Sequence, residues 1–200
     1  MVCGAFFNLR FIVVRISGGA ARGVTLQVPK GDLIRPATDG MRQAVFSSLA
    51  ARLPDARFVD LFAGSGAYGL EAFSRGAVGG IFVEKNLKAA ECIRKNIAVV
   101  AKSAGRPEAG LSLRAADVMT WAPAVGEAPD LVFIDPPYEL IAEVGLRLFE
   151  RMAEWWPVAA DPVVVFEMPG EVTLEPPGWS CVKRLGKGAR QPTTAFFRRG

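Results

Sequence analysis

Val59-Asp-Leu-Phe-Ala-Gly-Ser-Gly-Ala-Tyr-Gly69 (VDLFAGSGAYG) sets the reading of the whole chain. Its first residues are apolar and suit a buried strand. Glycines follow at 64, 66 and 69 with the spacing G-x-G-x-x-G, and a helix former comes next. That spacing is a weak signal alone, because any tight turn packing a helix on a strand produces it. Asp60, inside the strand, narrows the choice. A carboxylate beside this turn repels a pyrophosphate and attracts a ligand with positive charge. Capping of local amides is the plainer role for the same acid.

Working outward, the strand–turn–helix rhythm repeats. Phe58–Phe62 reads as a strand and Ala67–Arg75 as a helix ending at Gly76. Gly80–Val83 is a strand, and Leu87–Lys102 a helix that Asn86 can cap. Leu111–Arg114 and the apolar run Leu131–Ile134 are further strands, the second fully buried. Glu139–Trp155 is a helix and Pro162–Glu167 a strand. Trp179–Leu185 and Thr194–Arg198 have no helix between them and are expected to pair antiparallel. The pattern predicts an α/β fold: a seven-stranded, mostly parallel, Rossmann-like sheet with helices on both faces. Before it, Phe11–Ser17 and Val24–Val28 read as a β-hairpin. A helix follows, capped by Thr38 or Asp39 and running to about Arg52, with Met41, Val45, Leu49 and Leu53 on one face. A seam near 54–57 divides a basic N-terminal part, 1–54, from a catalytic part, 55–200.

Composition excludes several chemistries. The 200 residues contain no histidine, which removes imidazole bases and His-containing triads or metal sites. Three cysteines far apart suggest neither a disulfide framework nor a zinc site, so no metal is expected and a reducing, cytoplasmic setting is. No apolar run reaches a membrane span, and the start lacks the pattern of a secretory signal. Net charge is +4, unevenly spread. Residues 1–57 carry +5, with eight Lys/Arg against three Asp/Glu. Residues 58–180 carry −7, and residues 181–200 carry +6. Two basic ends around an acidic middle are consistent with a polyanionic partner, and equally with solvated termini.

Three further positions carry chemistry. Glu84 follows the second parallel strand, where an acid binds ribose hydroxyls. Asp117 follows the third and can accept from an adenine amino group, or cap the segment Val118–Trp121. The sharpest is Asp135-Pro136-Pro137-Tyr138, directly after LVFI. The prolines stop the strand and fix two φ angles. They set the Pro136 carbonyl beside the Asp135 carboxylate, and Tyr138 adds a flat face. An exocyclic NH2 of a nucleobase can donate to both acceptors while its ring stacks on the tyrosine. Accepting those protons draws the nitrogen lone pair out of the ring toward an incoming methyl. Such a transfer needs positioning and neither metal nor histidine.

IRPATDGMRQAVFSSL, VDLFAGSGAYGLEAFSRGA, FVEKN and FIDPPY, in that order, resemble the bacterial 16S rRNA guanine-N2 methyltransferases of the RsmD type. The resemblance runs from about Phe11 to Arg199. It implies the class I fold of enzymes that use S-adenosyl-L-methionine, whose sulfonium and ammonium suit Asp60. It implies that Asp60, Phe62, Gly64, Ser65 and Gly66 line the methionine part of that cofactor. Glu84 and Lys85 would bind its ribose, and Asp117 and Val118 its adenine. Asp135 to Tyr138 would be catalytic, and Thr38 and Arg42 would close over the site. The substrate implied is N2 of a guanine in 16S ribosomal RNA, free or in a small-subunit assembly particle, met by a monomer without a membrane. Arg10, Arg15, Arg22, Arg35, Lys183, Arg184, Lys187 and Arg190 are the candidates for RNA phosphates. The chain departs from the family pattern at Ala37 (often Thr), Gln43 (often Glu) and Tyr68 (usually Leu). The alternatives are a DNA adenine-N6 or cytosine-N4 methyltransferase, an NAD-dependent oxidoreductase, and a non-catalytic RNA-binding module.

Overall fold

The computed structural model describes residues 13–29, 39–124, 128–157, 159–186, 188 and 191–200. Seven strands form one sheet: β1 (Arg57–Leu61), β2 (Gly79–Val83), β3 (Leu111–Arg114), β4 (Leu131–Ile134), β5 (Val163–Pro169), β6 (Trp179–Leu185) and β7 (Pro192–Arg199). Their order is β3-β2-β1-β4-β5-β7-β6. The first five run parallel, and β7 enters antiparallel between β5 and β6. The seven strands expected from the sequence are therefore present, and the last two pair antiparallel. Chain direction along the sheet reverses between β1 and β4, the point where ligands bind an open α/β sheet.

Alternation along β1 shows why the sheet is covered twice. Phe58 faces a cluster built with Phe82, Phe133 and Val165, beneath α1 (Asp39–Ser48), α2 (Ala67–Ser74) and α3 (Leu87–Ala104). Val59 and Leu61 face the other side, with Val132 and Ile134, under α4 (Ile141–Trp155). Helices cover both faces, as the pattern of strands predicts. Asn86 caps α3 by accepting from Lys88 N and Ala89 N at 2.9 and 3.2 Å. The expected helix from 139 begins as a 3-10 turn, Tyr138–Leu140, which the two prolines impose before α4 starts.

Two expectations at the N-terminal end need correction. The hairpin does not form a regular ladder. Among the described residues one bridge, Arg15 to Thr25, joins its arms, with hydrogen bonds at Ile16, Gly23 and Leu26. The donors of its turn go to α2 instead: Ser17 N to Glu71 Oε2, Ala20 N to Ser74 O, and Ala21 N to Ser74 Oγ. Gly19 makes that approach possible, since a Cβ there would lie 2.0 Å from Ser74 O and its φ is +78°. The helix expected to reach Arg52 ends at Ser48, and Ala50–Arg52 is a 3-10 turn. Asp39 is its first helical residue, and its carboxylate accepts from Arg42 Nη2. Thr38, the other expected cap, and Phe11 lie outside the described residues. Val14, Ile16 and Leu26 share one apolar cluster with α2 and α3.

Candidate active site

The stretch after β1 is held in an unusual backbone. Phe62, Gly64 and Gly66 all have positive φ, at 59°, 55° and 77°. For phenylalanine this left-handed conformation costs roughly 1–3 kcal/mol, a strain common at ligand loops. The loop persists because its polar groups are tied down. Gly64 N donates to Glu84 Oε2 at 2.8 Å. Asn96, buried in α3, donates to Ser65 O and to Gln27 O at 2.9 Å each. It also accepts from Gln27 N, so one side chain clamps the loop to the N-terminal arm. The loop's glycines do different work. A Cβ on Gly69 would lie 2.4 Å from the rings of both Phe58 and Phe82, so this glycine brings α2 onto the sheet.

The acids of this half are engaged by backbone. Asp60, 2% exposed, accepts from Gly69 N at 2.9 Å. Glu84 accepts from Asn86 N at 2.7 Å with its second oxygen. Burial pushes the Asp60 carboxyl up to about 8, against the Gly69 hydrogen bond and with help from Glu84. Asp117 accepts from Met119 N at 2.8 Å and pairs with Lys85 at 3.4 Å in the open.

Across the switch point the arrangement differs. β4 and β5 pair in register with Ile134 opposite Phe166, which carries Asp135 and Glu167 to adjacent strand ends on the same face. No side chain or amide among the described residues donates to the Asp135 carboxyl. Glu167, 3% exposed, accepts one hydrogen bond, from Tyr68 Oη to its Oε2 at 2.8 Å. Burial raises both carboxyls, and for Asp135 the neighbouring Glu167 and Asp60 charges add to it. The Tyr68 hydrogen bond and the Arg42 charge oppose the rise at Glu167. Burial, with Glu167 and Asp135 nearby, pushes the Tyr68 hydroxyl well above its usual value, so it stays a donor. The Tyr68 ring is set by stacking on Phe133, centroids 5.4 Å apart.

Both halves open into one cavity of about 650 Å³, inside the size range of small-molecule sites. Asp60, Phe62, Gly64, Ser65, Glu84, Lys85, Val118 and Arg42 line it, as do Asp135, Pro136, Pro137 and Tyr138. Gly66 and Asp117, from the same sequence-derived set, do not. Gly66 caps α2 and faces Leu70 and Phe82, while Asp117 stands outside with Lys85. Arg42 is the buried cation of the wall. It donates to Arg15 O and Asp39 at 2.7 Å and lies 3.9 Å from the fully buried Glu71. Glu71 in turn holds Arg75 at 2.7 Å and Ser17.

Sequence reading missed Glu167, Glu71 and Asn96. None of the three carried a sequence signal for the site: Glu167 lies within β5, and it is the β4–β5 register that sets it beside Asp135. Of the candidate phosphate ligands, Arg15 and Arg22 are exposed. Lys183 donates to Ser48 Oγ at 2.8 Å, and Arg184 to Gly170 O and Val172 O at 3.1 and 2.7 Å. Arg10, Arg35, Lys187 and Arg190 lie outside the described residues.

A family model described as conserved hypothetical protein 95 matches residues 14–194. Ribosomal RNA small subunit methyltransferase D of Escherichia coli (strain K12) is 34% identical over 168 residues, covering 84% of this chain and 81% of its own. A solved structure of the Escherichia coli methyltransferase candidate yhhF superimposes with TM-score 0.75 at 31% identity, over 94% of this chain and 98% of that one. An RNA methyltransferase from Salinibacter ruber, solved with S-adenosyl-L-homocysteine, shares the fold at TM-score 0.58 and 17% identity, over 82% of this chain and 93% of that one. The fold is that of class I methyltransferases.

Proposed function

The chain belongs to the conserved hypothetical protein 95 family, the RsmD family of the resemblance, and from that premise we propose that it methylates ribosomal RNA with S-adenosyl-L-methionine, at N2 of a guanine in the small-subunit RNA. The observation that carries the reading is the Asp135 carboxyl. It stands at the end of β4 in the D-P-P-Y turn, inside the cavity, with no protein donor among the described residues to satisfy it. The residue is half-buried and faces the cavity, so a substrate N–H can reach the carboxyl there.

The donor set of the cavity fits this cofactor and disfavours a dinucleotide. Five carboxyls, Asp60, Glu84, Asp135, Glu139 and Glu167, line it against two cations, Arg42 and Lys85. Such a wall favours a sulfonium with an ammonium and opposes a pyrophosphate. A protein of the same fold, the RNA methyltransferase from Salinibacter ruber, was solved with S-adenosyl-L-homocysteine, which is in keeping with it. When bound, S-adenosyl-L-methionine supplies an electrophilic methyl group. Phe62 to Ser65 and Asp60 would hold its methionine part, Glu84 and Lys85 the ribose, and Val118 the adenine.

The chain's own residues position the amine. The Asp135 carboxylate and the Pro136 carbonyl each accept one N–H of the exocyclic NH2. Pro136 is buried and Pro137 fixes the next φ, so the two acceptors keep one geometry. Tyr138 offers its face to the ring. Holding both hydrogens in this way localises the lone pair and points it outward. Once the nitrogen gains a methyl it must lose a proton. Asp135 is suited to take it, because burial makes its carboxyl a better base than an exposed one.

Residues 1–54 we read as an RNA-facing lid, with Arg15 and Arg22 on its exposed side and Arg42 tying it to the cavity. Lys183 extends the basic surface along β6 beside α1. Tritiated S-adenosyl-L-methionine with ribosomal RNA from cells lacking the enzyme tests the reading. Label should appear in RNA, as N2-methylguanosine by nucleoside mass spectrometry. Label confined to DNA or protein refutes it.

A further inference from the structure

We infer that Glu167 is the residue that selects guanine, by accepting N1–H of the base while Asp135 and Pro136 accept the two hydrogens of N2. The inference rests on the guanine-N2 reading above and adds to it the group that distinguishes guanine from the other amino-bearing bases.

The register of β4 and β5 is the first observation. It sets Glu167 next to Asp135 at the cavity wall, with its side chain on the same face of the sheet. Glu167 is almost fully buried, yet only Oε2 has a partner, the Tyr68 hydroxyl. Oε1 accepts from nothing among the described residues. Glu167 lines the cavity, so a ligand donor that enters there can reach that oxygen. Tyr68 fixes the carboxyl by one oxygen and leaves the other for that ligand. Glu167 is also placed one strand away from the D-P-P-Y turn, where the atom next to the reacting amine would lie.

Base chemistry then decides what fits. On guanine the atom beside the amine is N1, and it carries a hydrogen. On adenine and cytosine the corresponding ring nitrogen carries a lone pair. A glutamate oxygen attracts the first and repels the other two. Three acceptors in a row, Glu167, Asp135 and the Pro136 carbonyl, match three donors on guanine and on neither of the others. Sites built to bond a substrate N–H reject analogues lacking it by large factors, because the site's acceptor is then left unpaired. Tyr68 is the positioning residue of this arrangement. Its phenyl ring is locked between Phe46 and Phe133, and its hydroxyl orients Glu167.

The test uses a short RNA carrying the guanine that wild type modifies, and the same RNA with 2-aminopurine at that position. The analogue keeps the 2-amino group, exchanges N1–H for a lone pair and lacks the 6-oxo group, to which no residue of the site is assigned. Single-turnover methylation by wild type should favour guanine by at least about a hundredfold. Glu167→Gln should lose about a hundredfold on guanine and narrow the preference to within about tenfold, because its amide can donate to the analogue's N1. Its Kd for S-adenosyl-L-homocysteine should stay within about threefold, since no methionine or ribose contact is assigned to it. Tyr68→Phe, which keeps the ring packing, should narrow the preference in the same direction by a smaller factor; it serves if Glu167→Gln does not fold. A wild type that labels guanine, with both variants keeping the full preference, overturns the inference and leaves the functional reading standing. Equal losses on both bases together with weakened cofactor binding also overturn it, as a general structural defect. A wild type that labels only adenine or cytosine removes the functional reading and the inference with it.

Discussion

The two halves of the cavity use the same side chains in opposite ways. On the β1–β2 side, Asp60 and Glu84 accept from the protein's own amides: Gly69 N for one, Gly64 N and Asn86 N for the other. On the β4–β5 side, among the described residues, Asp135 accepts no hydrogen bond and Glu167 accepts one. Asp60 and Glu167 are almost equally buried and each accepts one bond, from a backbone amide in the first case and a side-chain hydroxyl in the second, while Asp135 is half-buried. Acids of the first kind hold a loop in a strained shape. Acids of the second kind line the cavity without amide partners among the described residues. The lesson is that residue type and burial do not separate scaffold from chemistry, whereas the accounting of donors does.

Substitution at Asp135 should break the comparison most visibly. Asp135→Ala is expected to lower single-turnover methylation by about a thousandfold or more, since it removes both an acceptor and the proton's destination. RNA binding, followed by filter retention, should be nearly unchanged. Its Tm should hold or rise, because the variant removes a half-buried carboxyl that no donor among the described residues satisfies. A clear fall in Tm would show that Asp135 is scaffold after all. Glu84→Ala, on the other side, should weaken S-adenosyl-L-homocysteine binding by about a hundredfold, the sum of a lost ribose acceptor and a loosened Gly64 loop. Calorimetry reads this directly. Here a lower Tm is expected as well, because two amides lose their acceptor.

Gly69→Ala sharpens the scaffold side without touching any acid. The added Cβ meets two fully buried rings at 2.4 Å, so α2 must lift from the sheet. Overpacking of this kind costs about 1–3 kcal/mol. Urea denaturation should show that loss, and cofactor affinity should fall as Asp60 loses its fixed partner Gly69 N.

How much of this was legible in the sequence follows the same division. The parallel strands, their helices and the D-P-P-Y turn were readable because each depends on local pattern: apolar runs of four or five, a capping Asn86, two prolines after Ile134. Gly69 was readable as a packing glycine for the same reason. Asp60 could be seen as an acid beside a ligand turn, but the direction of its carboxylate, toward Gly69 N, depends on how α2 docks. Glu167 was invisible because its meaning comes from the β4–β5 register, which places it beside Asp135 from 32 positions away. The N-terminal arm read as a hairpin because Phe11–Ser17 and Val24–Val28 have strand composition. Its backbone donors instead found Glu71 and Ser74, more than fifty residues on. Glu71 and Asn96 look like ordinary helix residues until that docking is known.

The smallest effect bears on both halves at once. Asp60 has a folded-state carboxyl near 8, against an ordinary value of 3.8. Asp135 and Glu167 are raised as well. Between about pH 4 and pH 8 the folded protein therefore holds protons that the unfolded chain has released. Stability falls with pH wherever the folded state binds more protons, so these acids contribute most below their unfolded values and lose that contribution as pH rises toward 8. A cationic cofactor reverses the preference, because positive charge favours the ionised carboxyls. Its binding should release protons, and its Kd should fall severalfold between pH 6.5 and pH 8.5. Calorimetry in two buffers of different ionisation enthalpy counts the protons. Asp60→Asn keeps an acceptor for Gly69 N and cannot titrate, so it should flatten the part of the slope that belongs to the scaffold half. The part that survives belongs to Asp135 and Glu167. If Asp60→Asn removes the whole slope, the β4–β5 acids do not titrate in this range, and the contrast between the two halves is narrower than their hydrogen bonds imply.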